Sequence, residues 1–274
     1  MKYSKKTLLP NLNRIGEGGL RSRKYSKKPS IDKPLISIIT VVFNGENDIE
    51  AAILSVINQT YQNIEYIIID GGSNDGTLDI IKKYDYAIGY WVSEPDNGIF
   101  DAMNKGVELS NGEWVLFLGS DDCIYSPDTF SKIFKKFNSK CKLLYGNIVY
   151  SDKKVVKSKF NKLILFKNTI HHQSAFYHKE LFRSFKYSPV YKMLSDYELN
   201  LKIYKLNIES EKINRIIANC GRKGISNRVL FRGYKEEILI RKEYIKQPLL
   251  LVILNIQTIL RYFYKKFAYL FRCN

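Results

Sequence analysis

The sequence predicts an α/β fold in which a mainly parallel sheet is flanked by helices. Three apolar runs, at 35–43, 64–69 and 114–118, have the composition of strands buried on both faces. Between them, apolar residues recur at helical spacing over 49–57 and 99–107. Because strands and helices alternate along the chain, we expect right-handed crossovers between parallel strands.

The residues between these segments predict the remaining turns, a short helix and a further strand. Asn44 and Gly45 interrupt the first apolar run, as expected where a strand gives way to a turn. The second run leads into a glycine-rich segment, 70–77, after which a short helix over 77–84 and a strand over 88–93 are predicted. In open sheets of this kind, ligands bind beyond the carboxyl ends of the strands.

Two adjacent carboxylates, Asp121 and Asp122, follow the strand predicted at 114–118. Placing them beside a buried strand is unfavourable unless a cation, a ligand or water compensates their charge. Carboxylates at this edge could hold a divalent metal, which would in turn hold phosphate oxygens. A solvated turn is the alternative, because Asp and Ser are common turn residues.

The second strand ends at Asp70, whose carboxylate could accept a hydrogen bond from a base N–H or a ribose hydroxyl. Gly71 and Gly72 permit a close approach of the backbone to a ligand. Ser73 or Asp75 could equally cap the following helix, and we expect a structural role for Asp75 and a ligand-facing one for Asp70. The glycine spacing matches neither a dinucleotide-binding motif nor a P-loop.

Several segments together resemble the family 2 glycosyltransferases, which have the GT-A fold. The segments that carry the resemblance are 34–44, 59–65, 69–77 and 112–122. A further stretch, Trp91 to Gly106, is similar to the branch that builds bacterial surface polysaccharides. The resemblance implies an inverting transfer from a nucleotide sugar, usually a UDP-sugar, assisted by Mn²⁺ or Mg²⁺.

Carried over by position, the resemblance implies a set of residues that bind the donor. These are Thr40, Val42, Asn44, Asp70, Gly71, Ser73, Asp96, Asn97, Gly98, Asn104, Lys105 and Ser120. The metal-binding aspartate of the family's Asp-x-Asp motif is Asp121, with Asp122 a second candidate, and Gly119 replaces the motif's first aspartate. The family's arginine before Asn104 is Met103, so Lys105 could supply the missing phosphate contact or could simply be solvated.

The second half of the chain must supply the acceptor site and a general base. The stretch 193–201 resembles the acidic signature of the family's acceptor-side helix, which makes Asp196 the expected base and Glu198 the second choice. Helix capping by Ser195 or Asp196 is the alternative.

The pair His171 and His172 precedes Gln173 in a polar cluster. His172 could complete the metal site or bind a phosphate, and a structural histidine is the alternative. If this stretch is a strand, adjacent side chains point to opposite faces, so at most one of the two histidines would face the site.

The net charge of +17 lies almost entirely at the two ends of the chain. Residues 1–34 carry ten Lys and Arg against two Asp and Glu, and residues 212–274 carry fourteen against three. In 248–272, apolar and aromatic residues alternate with cations, which favours a helix lying on an anionic membrane surface. A helical hairpin packed on the core is the alternative, and the apolar run is too short to span a bilayer.

We therefore predict a basic extension over 1–34, a catalytic domain over 35–211 and a basic amphipathic tail over 212–274. The domain would divide into a nucleotide-sugar half, 35–125, and an acceptor half, 126–211. The expected partners are a nucleotide-sugar donor, a saccharide or lipid-linked saccharide acceptor, and an anionic membrane.

We expect a cytoplasmic protein, peripheral on the inner face of the plasma membrane. No apolar segment of signal-peptide type follows the basic N-terminus, and the four cysteines form no CxxC pair. Two alternatives remain open at this point: another metal-dependent nucleotide-sugar enzyme such as a nucleotidyltransferase, and a non-catalytic basic protein that binds membranes or nucleic acid. Nucleic acid is not expected as a partner, because the body between the basic ends is nearly neutral.

Overall fold

The computed structural model describes residues 12–25, 27, 28, 30, 33–135, 140–221 and 231–270. Its strands are β1 (Gly16–Gly18), β2 (Ile36–Val42), β3 (Ile64–Asp70), β4 (Tyr90–Ser93), β5 (Trp114–Gly119), β6 (Cys123–Ile124), β7 (Leu143–Tyr150), β8 (Val155–Val156), β9 (Ala175–His178) and β10 (Ser210–Cys220). Its helices are α1 (Ile49–Ile57), α2 (Thr77–Lys83), α3 (Ile99–Leu109), α4 (Thr129–Phe134), α5 (Ser195–Lys205), α6 (Phe231–Tyr244) and α7 (Pro248–Leu270).

The first half of the sheet is the parallel unit that the apolar runs predict. Strands β4, β3, β2 and β5 lie side by side in that order, and each neighbouring pair is parallel. The helices α1, α2 and α3 connect them in chain order, and α3 packs on β2 and β3. The sheet is largely parallel and flanked by helices, so the predicted fold class is confirmed.

The second half of the sheet continues beyond β5. Strand β9 is antiparallel to β5 and β7, whereas β10 runs parallel to β7 and pairs with β6 at its other side. Strand β10 crosses the boundary predicted at 211/212, so the sheet extends to Cys220. At the opposite edge β1, from the basic extension, pairs with β4.

Side chains of the parallel strands alternate between two apolar layers. Ile36 and Ile38 of β2 belong to the layer packed against α1, α2 and α4, whereas Ile39 packs toward α3 and α5. Because both faces of the strands are covered, the runs need no polar alternation, which explains their composition.

The C-terminal helices α6 and α7 pack against each other through a buried polar network. Arg241, which is fully buried, donates to the Leu254 carbonyl at 3.0 Å and to Thr258 Oγ1 at 2.7 Å, and it pairs with Glu237. The inner face of α7 therefore contacts α6, as the hairpin alternative requires. Among the residues that the structure describes, no helix has the length and apolarity needed to cross a bilayer.

Candidate functional site

The three predicted loops meet at one edge because their strands are parallel and in register. Val42 of β2 lies opposite Asp70 of β3, and Val41 lies opposite Gly119 of β5. The residues that follow these strands therefore leave the sheet side by side.

A cavity of about 530 Å³ opens at this edge, between the end of β2, the start of α3 and the segment 189–192. Five of the predicted donor-binding residues line it: Val42, Asp96, Asn97, Gly98 and Ser120. Apolar side chains supply much of the remaining wall, among them Val41, Phe43, Ile99, Phe100, Pro189 and Tyr191. The volume lies within the range of small-molecule sites, which are typically apolar clefts with a few polar groups.

Asp70 differs from the ligand-facing position predicted for it. Its side chain is fully buried, and its oxygens accept hydrogen bonds from the Ser73 hydroxyl, the Ser73 N–H at 3.1 Å and the Ser93 hydroxyl. In this geometry the carboxylate holds the 70–77 turn in shape from inside. The Ser73 hydroxyl in turn accepts the Asn44 N–H at 2.8 Å, so Asp70 also fixes the loop after β2.

Asn44 and Asp75 join the first two loops. Asn44 has a positive φ of 52°, and its side-chain oxygen accepts the Asn74 N–H at 3.0 Å. Asp75 accepts hydrogen bonds from Thr77 and from the Glu46 N–H, which agrees with the structural role expected of it. The two loops thus form one connected rim.

Thr40 lies in the core rather than at the site, which corrects its predicted role. It is fully buried, and its hydroxyl accepts a hydrogen bond from Tyr66 at 3.1 Å. Strand β2 continues two residues past Thr40, so Val41, Val42 and Phe43 are the residues that reach the cavity.

The loop before α3 lines the cavity with Asp96, Asn97 and Gly98. Asp96 accepts the Gly98 N–H at 2.8 Å, and a side chain at Gly71 would collide with the Asp96 carboxylate. Gly98 has a φ of 108°, a conformation that favours glycine. The loop thus presents Asp96 and Asn97 beside the turn that follows β3.

Asn104 and Lys105 are engaged within the protein, which differs from their predicted contact with the donor. Asn104 exchanges two hydrogen bonds of 2.9 Å with the backbone of Tyr187. The Lys105 ammonium lies 3.0 Å from Glu94 and also donates to the Pro95 carbonyl. Tyr187 is 83 positions from Asn104, so sequence position could not reveal that contact, whereas the partners of Lys105 lie in the same 91–106 stretch.

Asp121 and Asp122 occupy unlike environments. Asp122 is buried, and its oxygens accept the Gly119 N–H, the Gly221 N–H and the Gln173 amide at 3.0–3.1 Å. Asp121 is half-buried, and a side chain at 221 would collide with its carboxylate. Asp122 therefore secures the turn, and Asp121 is the more exposed of the two carboxylates.

A single 3-10 turn, His172–Ser174, connects this turn to the start of α5. His172 Nδ1 lies 3.4 Å from Asp196 Oδ2, while the next residue, Gln173, bonds Asp122. The expectation that adjacent residues face opposite ways assumed a strand, whereas a 3-10 turn places both side chains toward the carboxylates. His171 packs instead on the ring of Tyr150.

The charge state of His172 reflects these neighbours. Burial, the largest influence, lowers its pKa, but the hydrogen bond and charge of Asp196 outweigh burial, so the pKa is raised above its usual value. The charges of Asp122 and Asp121 raise it further. The pKa of His172 is therefore influenced both by Asp196 in α5 and by Asp121 and Asp122 after β5.

Asp196 is the second residue of α5 and is held by groups that sequence reasoning missed. Asn168 donates to its Oδ2 at 3.0 Å, and Asn168 is itself held by Asn200 at 3.1 Å. The second candidate, Glu198, accepts hydrogen bonds from Tyr244 at 3.1 Å and from Ser195 at 3.4 Å. Burial raises the pKa of Glu198, which disfavours its charged form.

Asn168, Gln173 and Gly221 were not singled out as site residues from the sequence. Gln173 carried a signal, since it belongs to the polar cluster at 171–173. Asn168 and Gly221 carried none, because each acts on a residue that is 28 or 99 positions away.

A divalent cation fits these residues when a nucleotide supplies part of its coordination. Within the described ranges, no group of three or more His, Cys, Asp and Glu side chains could hold a metal by itself. Mg²⁺ commonly binds through one or two carboxylates together with substrate phosphates, and Asp121 directly follows Ser120, which lines the cavity.

Comparison with solved structures identifies the fold. Staphylococcus aureus TarS, crystallised with UDP-GlcNAc, matches with a TM-score of 0.64 and 17% identity over 84% of this chain and 72% of that one. The mannosyltransferase PcManGT from Pyrobaculum calidifontis, in complex with GDP-Man and Mn²⁺, matches with a TM-score of 0.60 and 16% identity over 87% and 74%. These proteins are GT-A glycosyltransferases, so the chain has the GT-A fold.

Sequence comparison identifies the family. A mycobacterial PGL/p-HBAD biosynthesis glycosyltransferase, from Mycobacterium bovis and Mycobacterium tuberculosis, is 34% identical over 179 residues, which cover 62% of this chain and 70% of the relative. The model of the family named Glycosyl transferase family 2 matches residues 37–196, more than half of the chain. The protein is therefore a glycosyltransferase that belongs to family 2.

Proposed function

We propose that this protein transfers a single sugar from a nucleotide sugar, expected to be a UDP-sugar, to a hydroxyl of a growing, lipid-linked surface glycan. The observation that carries this proposal is the turn at 172–174, which contacts Asp122 on the donor side and Asp196 on the acceptor side. This contact brings the expected general base to the edge of the sheet where Asp121 lies.

In the proposed reaction, Asp196 takes the proton of the acceptor hydroxyl as that oxygen attacks the anomeric carbon of the donor sugar. The bond between the anomeric carbon and the diphosphate oxygen breaks, and the nucleoside diphosphate leaves with the electron pair. Attack from the face opposite the leaving group inverts the anomeric configuration. Asn168 and the Tyr197 N–H, at 2.8 Å, hold the carboxylate of Asp196 for this role.

Asp121, with the diphosphate, would hold the divalent cation, and Asp122 would hold Asp121 in place through the backbone of the turn. When bound, Mn²⁺ or Mg²⁺ acts as a Lewis acid that stabilises the charge on the departing diphosphate. The residues lining the cavity, including Asp96, Asn97 and Ser120, would orient the donor and exclude water from it. Among the neighbours, the mannosyltransferase complex contains a nucleotide sugar together with Mn²⁺.

The experiment that tests this function measures nucleoside diphosphate release from UDP-, GDP- and dTDP-sugars, with and without Mn²⁺. We expect slow hydrolysis of one donor class that requires the metal. If no donor is turned over and calorimetry with UDP and Mn²⁺ gives no heat, the transferase proposal is wrong for this cavity.

The outer face of α7 supports the membrane part of the proposal. Nine of its large apolar residues are exposed: Leu249, Val252, Ile253, Ile256, Ile259, Leu260, Phe263, Tyr264 and Phe267. At 3.6 residues per turn they fall within an arc of about 140°. Leu254 and Thr258, which are buried, lie on the other side against α6. An apolar stripe on a strongly basic segment complements an anionic lipid surface.

We expect the full chain to bind vesicles of phosphatidylcholine with phosphatidylglycerol and to bind pure phosphatidylcholine far more weakly. Replacing both Phe263 and Phe267 with serine removes two aromatic side chains from the stripe, and the vesicle-bound fraction should fall about tenfold or more. Co-sedimentation measures this fraction, and the Tyr86→Ser variant removes a 63% exposed aromatic elsewhere as the control.

Equal binding to neutral and anionic vesicles would contradict the electrostatic part of this assignment. If light scattering instead gave a dimer that the same double substitution dissociates, the stripe would be an interface between two copies, and the membrane assignment would be wrong.

A further inference from the structure

The segment 192–194, just before α5, is held by a carboxylate from a different helix. Glu236 of α6 accepts the Lys192 N–H and the Met193 N–H at 2.9 Å and the Leu194 N–H at 3.1 Å. Its side chain is buried, with 4% of the residue exposed. Three backbone donors on one buried carboxylate form a charge-assisted contact of the stronger kind.

This contact lies at the N-terminus of α5, where the backbone N–H groups need partners from outside the helix. Leu194 is the N-cap residue of α5, and it supplies no side-chain cap. The first N–H groups of a helix lack partners within the helix, and a negative charge near that end is favourable. Glu236 supplies that charge from α6, and Asp196 is the second residue of α5.

The same segment also forms one wall of the cavity. Tyr191 and Lys192 line it, and the Lys192 ammonium donates to the Asn97 carbonyl at 3.1 Å. Through Lys192, the segment therefore contacts the loop before α3, and at its other end it leads into Asp196. A displacement of its backbone would move both the cavity wall and the expected base.

Further contacts join α6 to the same region. The Tyr244 hydroxyl donates to Glu198 at 3.1 Å, and the Tyr191 hydroxyl donates to Glu243 at 2.7 Å. Gly233 packs close to Met193, where a Cβ would lie 3.4 Å from the methionine Cε. Helix α6 thus contacts the start of α5 along more than one turn.

We infer that Glu236 is a positioning residue for sugar transfer. It fixes the backbone at the start of α5 and therefore the position of Asp196. It does so from outside the region that matches the family. The family match ends at residue 196, forty positions before Glu236. The inference rests on the proposed function, because it assigns Asp196 the role of base. Glu236 itself touches no reacting atom.

The test compares Glu236→Gln and Glu236→Asp with the wild-type full chain, using hydrolysis of the UDP-sugar that the donor panel selects. A carboxamide keeps the shape but offers only one acceptor oxygen to three N–H groups. Since a shift of about 1 Å can cost about 10²-fold in rate, we expect Glu236→Gln to lower kcat about 10- to 100-fold. The KM for the donor should change less than kcat does, and Glu236→Asp should recover part of kcat.

Hydrogen exchange measured by mass spectrometry on peptides covering 192–197 provides a readout that does not need activity. We expect faster exchange in Glu236→Gln at these amides, with the rest of the domain unchanged. The Glu108→Gln variant, which removes an exposed carboxylate from α3, serves as the control with a matched charge change. If Glu236→Gln fails to fold, Glu236→Asp supplies both measurements.

An unchanged kcat in a folded Glu236→Gln variant overturns the inference, whether or not exchange at 192–194 increases. A fall in kcat that accompanies faster exchange across the whole domain also overturns it, because Glu236 would then support general stability. If wild type turns over no donor, the proposed function fails, and unchanged exchange at 192–197 would show separately that Glu236 does not hold the start of α5.

Discussion

Replacing Asp196 with asparagine is expected to lower kcat for sugar transfer by about 10²- to 10⁴-fold, the usual contribution of a general base. Asparagine has nearly the same shape and can still accept the hydrogen bond from Asn168, but it cannot take the proton of the acceptor hydroxyl. Because Asp196 is not placed among the donor-binding residues, the KM for the nucleotide sugar should change little. Initial rates of nucleoside diphosphate release measure both constants.

The control for this substitution is Asp79→Asn on α2, where the carboxylate is 86% exposed and pairs only loosely with Lys82 at 3.9 Å. It should leave kcat unchanged. Glu198→Gln separates the two candidates for the base: both Glu198 oxygens accept hydrogen bonds, so its replacement should affect stability more than the chemical step. A near-normal kcat for Asp196→Asn with a large loss for Glu198→Gln would reverse the assignment.

The sheet was predictable because its signals are local. Trp114 to Leu118 is an unbroken apolar run, and all five residues are buried in β5. The helical spacing in 49–57 and 99–107 likewise predicts α1 and α3, whose buried residues follow that spacing. Strand β10 was not predicted, and the domain boundary was placed inside it at 211/212, because its first residues are mostly polar and resemble an edge or a loop.

The roles of individual polar residues were less predictable, because burial depends on partners far along the chain. A threonine near the end of a strand is a reasonable candidate for binding a ligand. The Thr40 hydroxyl, however, accepts a hydrogen bond from the Tyr66 hydroxyl on the neighbouring strand. Asp70 is likewise enclosed by Ser93, which is 23 residues away and pairs with it across β3 and β4. For Asp70, family position gave the end of β3 but not the direction of the side chain, whereas Thr40 lies two residues before the end of β2.

No pattern in the neighbouring sequence predicts the contacts that join the two halves of the site. Gln173 reaches Asp122 across 51 residues, and Glu236 reaches Leu194 across 42. Each joins elements that meet only after the sheet has formed. The sequence could thus supply the candidates for base and metal ligand, whereas the groups that hold them in place required the structure.

The second large effect is expected at the adjacent carboxylates, which should respond differently to the same substitution. Asp121→Asn should lower the metal-dependent rate of donor turnover by about 10²-fold or more, because it removes the charge proposed to hold the cation that stabilises the leaving diphosphate. Its melting temperature should fall less than that of Asp122→Asn, whose carboxylate accepts three N–H groups. Chelation of metal from the wild-type enzyme should reproduce the loss of activity.

Asp122→Asn should instead lower stability, because an amide group offers a donor where the carboxylate now accepts three N–H groups. The expected cost is about 1–3 kcal/mol for each donor left unsatisfied, which a thermal or denaturant melt detects. Activity at a temperature where the variant is folded should fall less than in Asp121→Asn.

The contrast between the two variants decides how the turn works, because they remove the same charge one residue apart. If Asp122→Asn lost metal-dependent UDP binding while Asp121→Asn kept it, measured by calorimetry with Mn²⁺, the cation would bind the inner carboxylate. The hydrogen bonds from Gly119 and Gly221 would then have to reorganise around the metal. Loss of binding in Asp121→Asn alone would instead mean that Asp122, with Gln173, holds a preformed turn whose outer carboxylate receives the cation with the nucleotide.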